Sequence, residues 1–166
     1  MAGMTLGAPT ITVEPLRWAD LVAVAQCIAI DADAFPYASA QFALPSTSSH
    51  VWVAHEAGEQ TVLGFAAARS RYGTLHVDGL AVHRAFRRRN IGRTLVHVVA
   101  AHARAEGMRS VALRVSVANR TAIALYTAEG FLIERRLRGF YPATAFEGET
   151  DAYAMELLLW QGPGGA

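Results

Sequence analysis

The stretch "GLAVHRAFRRRNIGRTLVHVVA", residues 79–100, decides how this chain folds. It opens as the end of a strand, turns through three consecutive arginines, and runs on with helical spacing: Ile91, Leu95, Val98, Val99 and His102 share one stripe. Gly107 ends that helix. The first-turn N–H groups of a helix have no internal partner, and the helix dipole makes that end positive. Arginines gathered there oppose the dipole unless an anion joins them. A turn exposing successive N–H groups, fringed by Arg87, Arg88 and Arg89, makes a seat for phosphates. Gly92 lets the backbone approach a ligand closely, and Asn90 tolerates the left-handed conformation such a turn needs. The competing reading is a solvated basic helix start. The G-x-G-x-x-G spacing of a dinucleotide fold is absent.

Outward from this unit, "TITVEPLR" (10–17) alternates as a half-buried strand does, and Asp20 caps or begins a helix reaching about Asp33. Residues 34–49, broken by Pro36 and Pro45, read as loop with at most one short helix. Strands at 50–57 and 61–70 flank the turn "GEQ", and 74–82 completes a meander, with Gly79 marking a bulge or a close backbone approach. Strand 110–117, a short helix from Asn119 closed by Gly130, and strands 131–140 and 151–159 follow. The fold class is α/β, a mixed sheet with order β-α-α-βββ-α-β-α-ββ. The 166 residues suit one domain, with residues 1–9 and 161–166 as loose ends.

Composition narrows the function. The chain is 52% apolar and 17% charged, as a folded chain is, and its net charge of +1 is too near neutral for a general nucleic-acid binder. All fifteen basic residues are arginine, which excludes lysine Schiff bases and the Walker lysine. The single cysteine, Cys27, excludes an intrachain disulfide and reads as a buried thiol. The histidines show no metal spacing, so no metal is expected. No apolar run spans a bilayer and no signal peptide is evident, so the expected location is cytoplasmic, away from membranes.

A second motif, "NRTAIALYTAEGF" (119–131), carries an N-cap, an apolar face and a terminating glycine. With "RRRNIG" (87–92) it resembles the GNAT superfamily of acetyl-CoA-dependent N-acetyltransferases. The pyrophosphate loop of that family reads Gln/Arg-x-x-Gly-x-Gly/Ala, here with Asn90 in place of the first glycine. Its second motif is filled by Asn119, Ala122, Leu125, Tyr126, Gly130 and Phe131.

The resemblance implies a sheet splayed between "GLAV" and "VALRVSV", with acetyl-CoA in the wedge. Backbone groups of Ala81 and Val82 would bond the pantetheine arm. The amides of Arg88, Arg89, Asn90, Ile91, Gly92, Arg93 and Thr94 would hold the pyrophosphate, and Asn119 would contact the arm from the other side. The amine attacks the thioester directly, with Tyr126 as general acid. Within the superfamily the chain is most similar to the ribosomal-protein-alanine and protein N-terminal acetyltransferases. "FPY" (35–37) and "FYP" (140–142) resemble their substrate loops, which makes Phe35, Tyr37, Phe140 and Tyr141 candidate acceptor contacts. Where those relatives carry a Glu or His base, five residues before the Asn, this chain has Arg114. Arg114 either pairs a substrate carboxylate or points to solvent. Asp78, sharing a strand face with His76, is the candidate base, acting through a water.

A peptide N-terminal α-amine is the expected acceptor, and a small amine (amino acid, polyamine or antibiotic) the alternative. A non-catalytic acyl-CoA-binding module is the reading from another class. The protein is expected as monomer or homodimer.

Overall fold

The structure, a computed structural model, describes residues 10–35 and 49–159. Seven strands form one mixed sheet in the order β1-β2-β3-β4-β5-β7-β6. These are β1 (Ile11–Pro15), β2 (Ser49–Glu56), β3 (Gly64–Arg71), β4 (Thr74–Val82), β5 (Ser110–Ser116), β6 (Leu132–Leu137) and β7 (Ala152–Leu158). Three helices flank them: α1 (Leu21–Ala34), α2 (Ile91–Ala105) and α3 (Arg120–Ala128). Of the expected loop at 34–49, residues 36–48 lie outside the described residues.

Alternation along β2 sorts the two faces of the sheet. Trp52 and Ala54 join Leu75, Val111 and Met155 beneath Ile91, Leu95 and Val99 of α2 and Tyr126 of α3. Val51 and Val53 join Phe65, Ala67 and Ala81 beneath Ala23, Cys27 and Ile30 of α1. Cys27 is fully enclosed there, and burial, with Asp31 nearby, pushes its thiol up to about 12. It is an inert core residue, as the sequence suggested.

Helix ends follow local chemistry. The Asp20 carboxylate accepts from the Ala23 N–H at 3.0 Å, and Asn119 Oδ1 from the Ala122 N–H at 3.1 Å. Gly107 (φ 67°) and Gly130 (φ 90°) take the left-handed step past α2 and α3. After α3, the Gly130 N–H bonds the Thr127 carbonyl and the Phe131 N–H that of Tyr126, a Schellman closure whose apolar contact is the Phe131–Tyr126 ring pair. That closure takes Phe131 into the cap, so β6 begins at Leu132 rather than 131.

At the far end of α2, His102 packs its ring against His50 (centroids 4.5 Å apart) and Trp52 (5.1 Å). Burial and the His102 charge hold His50 below the usual imidazole range, against a weaker opposing pull from Glu106. The unfolded chain therefore binds this proton more readily than the fold does. Stability is full above the unfolded value of about 6.5 and is lost as pH falls through it toward the depressed native value. Urea unfolding at pH 7.5 and 5.5 should show a smaller acid loss in His50→Gln than in the wild-type protein; equal losses would mean this pair does not set the acid limit.

Candidate active site

The site begins where β4 and β5 part. They pair in parallel from Thr74↔Ser110 to Val77↔Leu113 and no further. Beyond that point β4 stays with β3 up to the Gly64↔Val82 pair, while β5 stays with β7 up to Ser116↔Ala152. The sheet is therefore splayed over the second half of both strands. A register shift marks the start of the gap: Ala67 faces Gly79 and Ala68 faces Val77, leaving Asp78 as the extra residue of a bulge.

The His83 N–H donates to the Leu63 carbonyl at 2.8 Å, one step past the Gly64↔Val82 pair. Alternation along an antiparallel ladder then turns the Ala81 amide and carbonyl toward Phe65 of β3. The same alternation turns the backbone groups of Leu80 and Val82 toward the gap. This corrects the sequence expectation: Leu80, not Ala81, offers main-chain groups alongside Val82. The error was one residue of parity.

At the mouth of the gap the chain turns into α2. Arg88 (φ 67°) and Asn90 (φ 59°) are both left-handed. Asn90 is the N-cap without a side-chain cap bond, and the first bond of α2 is the Thr94 N–H to the Asn90 carbonyl at 3.0 Å. The N–H groups of Ile91, Gly92 and Arg93 thus lie before the first helical bond, with no acidic residue in that turn.

The arginines divide the work. Arg87 Nε donates to the Val82 carbonyl at 3.2 Å. Arg89 pairs with Glu56 and lies over the Phe86 ring. Arg93 pairs with Glu129, the C-cap of α3, at 2.7 Å. These three brace the turn. Arg88 has no such partner among the described residues, and its guanidinium is the one left for an anion. Thr94 spends its hydroxyl on the Asn90 carbonyl at 3.1 Å.

Gly92 has a packing role beside the one expected. A Cβ there would meet Leu125 Cδ2 at 3.3 Å, Val82 Cγ2 at 3.9 Å and Leu80 Cδ2 at 4.0 Å. The missing side chain lets α2, α3 and the end of β4 converge, which fixes the turn against the gap. Asn119 is committed through Oδ1 to capping α3, leaving its amide NH₂ for other partners.

Tyr126, on α3, is buried, with its ring centroid 5.6 Å from that of Phe131. Burial pushes its phenol up to about 12, so it keeps its proton through the physiological range.

The other face of the splay carries the remaining candidates. Asp78 is corrected by its surroundings: both carboxylate oxygens accept from Arg69, at 2.7 and 2.9 Å. It pins Arg69 across the bulge and is not a free base. His76 lines a cleft of about 190 Å³ with Arg114, Glu134 and Glu156. Burial, then the Arg114 charge, holds its imidazole below the usual range, so it is neutral at pH 7. Its place in the cleft escaped the sequence reading, since the parity that paired it with Asp78 says nothing of β5 and β7.

Arg114 is the first residue of β5 past the last β4 pair, and its guanidinium lies 5.5 Å from the centre of the Phe140 ring. Phe140 is 45% exposed. Tyr141 is instead buried with Ala145 and Ala152, its ring edge-on to Phe140 and Phe146, and anchors the loop rather than offering a contact surface. Phe35 follows α1 and packs, partly buried, against the α1 cluster. Tyr37 lies outside the described residues.

The residues present fit a CoA-type ligand: uncapped N–H groups and an uncommitted Arg88 suit a pyrophosphate, and the gap offers main-chain groups to an amide-bearing arm.

Comparisons with known proteins bear on the family and the fold. No curated protein sequence matches the chain. Among solved structures, the Escherichia coli ribosomal-protein-S18-alanine N-acetyltransferase is similar over 95% of this chain and 99% of that one, with 24% identity and a TM-score of 0.80. Arabidopsis thaliana NAA60 in complex with acetyl-CoA is similar over 90% and 99%, with 25% identity and a TM-score of 0.75. Nourseothricin acetyltransferase follows the same fold over 89% and 98%, at 20% identity and a TM-score of 0.68. Residues 18–131 match the profile of the acetyltransferase (GNAT) family, and the chain belongs to that family.

Proposed function

We propose that the protein transfers an acetyl group from acetyl-CoA to the α-amine at the N-terminus of a peptide or protein. The observation that carries the cofactor half is the parting of β4 and β5 beside the uncapped start of α2. Arg88 and the N–H groups of Ile91, Gly92 and Arg93 bind the pyrophosphate, and Leu80 and Val82 align the arm along the gap. Acetyl-CoA supplies the thioester whose carbonyl carbon the amine attacks. Tyr126 orients its proton toward the leaving sulfur, and its buried ring helps exclude water. On the acceptor side, His76 is the neutral group available to take the proton that the amine sheds.

The acceptor follows from what this face lacks. Asp78 is held by Arg69 and His76 is a weakened base, while the Glu134 carboxyl, raised above its usual range by the neighbouring Glu156, is still far below a lysine-like amine. Deprotonating a lysine-like amine of pKa ~10.4 at pH 7 costs ~4–5 kcal/mol, whereas an α-amine at ~7.7–8.0 costs only ~1–1.4 kcal/mol. A site with so little basicity suits the α-amine. Solved relatives that by name acetylate ribosomal-protein alanine and nourseothricin show that one fold serves both acceptor types, so small amines are the second reading.

Peptides carrying both a free α-amine and an internal lysine separate the possibilities. Incubation with acetyl-CoA and fragment mass analysis should find the acetyl group on the α-amine. Acetylation confined to lysine, or to amino acids, polyamines and antibiotics offered alongside, would overturn the assignment.

A further inference from the structure

Arg114, like Arg71 of β3 and Arg135 of β6, is a sheet arginine with no ion pair to a carboxylate among the described residues, and of these it lies at the parting of β4 and β5. Arg69, Arg89, Arg93 and Arg136 each hold a carboxylate. Arg114 has no carboxylate partner among the described residues; its recorded contact is the open face of Phe140. Acid groups are near: Glu134 and Glu156 line the same cleft, where the proximity of the two carboxyls raises Glu134 above its usual range, and neither forms an ion pair with Arg114. Stacking on an aromatic ring fixes the plane of a guanidinium while leaving its in-plane N–H groups available. Those groups form a fork that matches a carboxylate in two parallel hydrogen bonds. The position is equally specific, because Arg114 is the first β5 residue past the last β4 pair, at the start of the splay.

We propose that Arg114 anchors a carboxylate carried close to the acceptor amine. The inference rests on the acetyl-transfer reading above and names its substrate class: α-amines with an acidic group in the first or second residue, or the α-carboxylate of a free amino acid. Phe140 holds the fork in its working plane. Arg114 does no proton transfer; it positions the acceptor, so its contribution is to binding and appears chiefly in KM.

The test compares kcat/KM for C-terminally amidated peptides beginning with Asp or Glu, matched peptides beginning with Ala or Ser, and free alanine. The proteins are wild type, Arg114→Gln, Arg114→Lys and Arg114→Glu. The wild-type protein should favour a carboxylate-bearing acceptor over the neutral peptide by about 10- to 100-fold, the range of a charge-assisted pair. Whether acidic peptides or free alanine carry that preference identifies the source of the carboxylate. Arg114→Gln should lose the preference, Arg114→Lys should recover part of it, and Arg114→Glu should invert it. Acetyl-CoA affinity should stay the same in all four. An acidic-to-neutral ratio that does not move between wild type and Arg114→Gln, with turnover intact, would overturn this inference alone. A wild-type protein that binds acetyl-CoA and acetylates no amine would overturn the transfer reading and this inference with it.

Discussion

Gly92→Asp should weaken acetyl-CoA binding by about 10²-fold or more. Two effects add. The Cβ alone lands 3.3 Å from Leu125 Cδ2, the yielding end of a side chain, but the carboxyl group beyond it must also find room where α2, α3 and β4 converge. A carboxylate also arrives in the first turn of α2, where the N–H groups meant for a pyrophosphate lie before the first helical bond. Two companions separate charge from packing. Gly92→Ala meets only the far end of a leucine, which can yield, and should bind nearly as well as the wild-type protein. Arg88→Glu leaves the junction untouched and should still bind at least about tenfold more weakly, because it reverses the one guanidinium not used in bracing the turn. Titration calorimetry on variants with unchanged thermal unfolding gives the answer. Wild-type affinity in Arg88→Glu would remove the turn from the cofactor site.

Tyr126→Phe should lower turnover by about 10²-fold while leaving acetyl-CoA affinity within about twofold. The ring keeps its place against Phe131, and only the hydroxyl is lost. A phenol pushed up to about 12 by burial does not ionise in the working range, so the rate should show no alkaline limb from Tyr126 below pH 10. Steady-state kinetics with the acceptor found by mass analysis would check both statements. Wild-type turnover in Tyr126→Phe would make Tyr126 a core residue and nothing more.

Much of this was readable in the chain because it depends on local chemistry. The left-handed step at Asn90 needed a residue that tolerates it, and Gly107 and Gly130 announced the ends of their helices. The meander, the basic turn and the α3 motif follow from periodicity and capping alone. Contacts that depend on register were not readable. Asp78 finds Arg69 across a hairpin through a bulge, and Arg89 finds Glu56 thirty-three residues away. Nothing local separates the arginine left for a ligand from the three that brace the turn. Parity misled at Ala81, where the ladder turns the backbone toward β3. At Gly92 the packing role was hidden, since a glycine beside a basic turn looks alike whether it makes room for a ligand or for Leu125. Tyr141 looked like an equal partner of Phe140, yet the loop buries one ring and presents the other.

The central claim is that the splayed gap and the basic turn serve catalysis and do not merely hold acyl-CoA. The most direct measurement is release of the CoA thiol from acetyl-CoA, followed alongside the mass of an amidated peptide with a free α-amine. One thiol should appear for each acetylated peptide, with no release when the α-amine is blocked and far slower release in Tyr126→Phe. Binding of acetyl-CoA without thiol release, across peptides, amino acids and small amines alike, would contradict the account and leave a cofactor-binding module that has lost its chemistry.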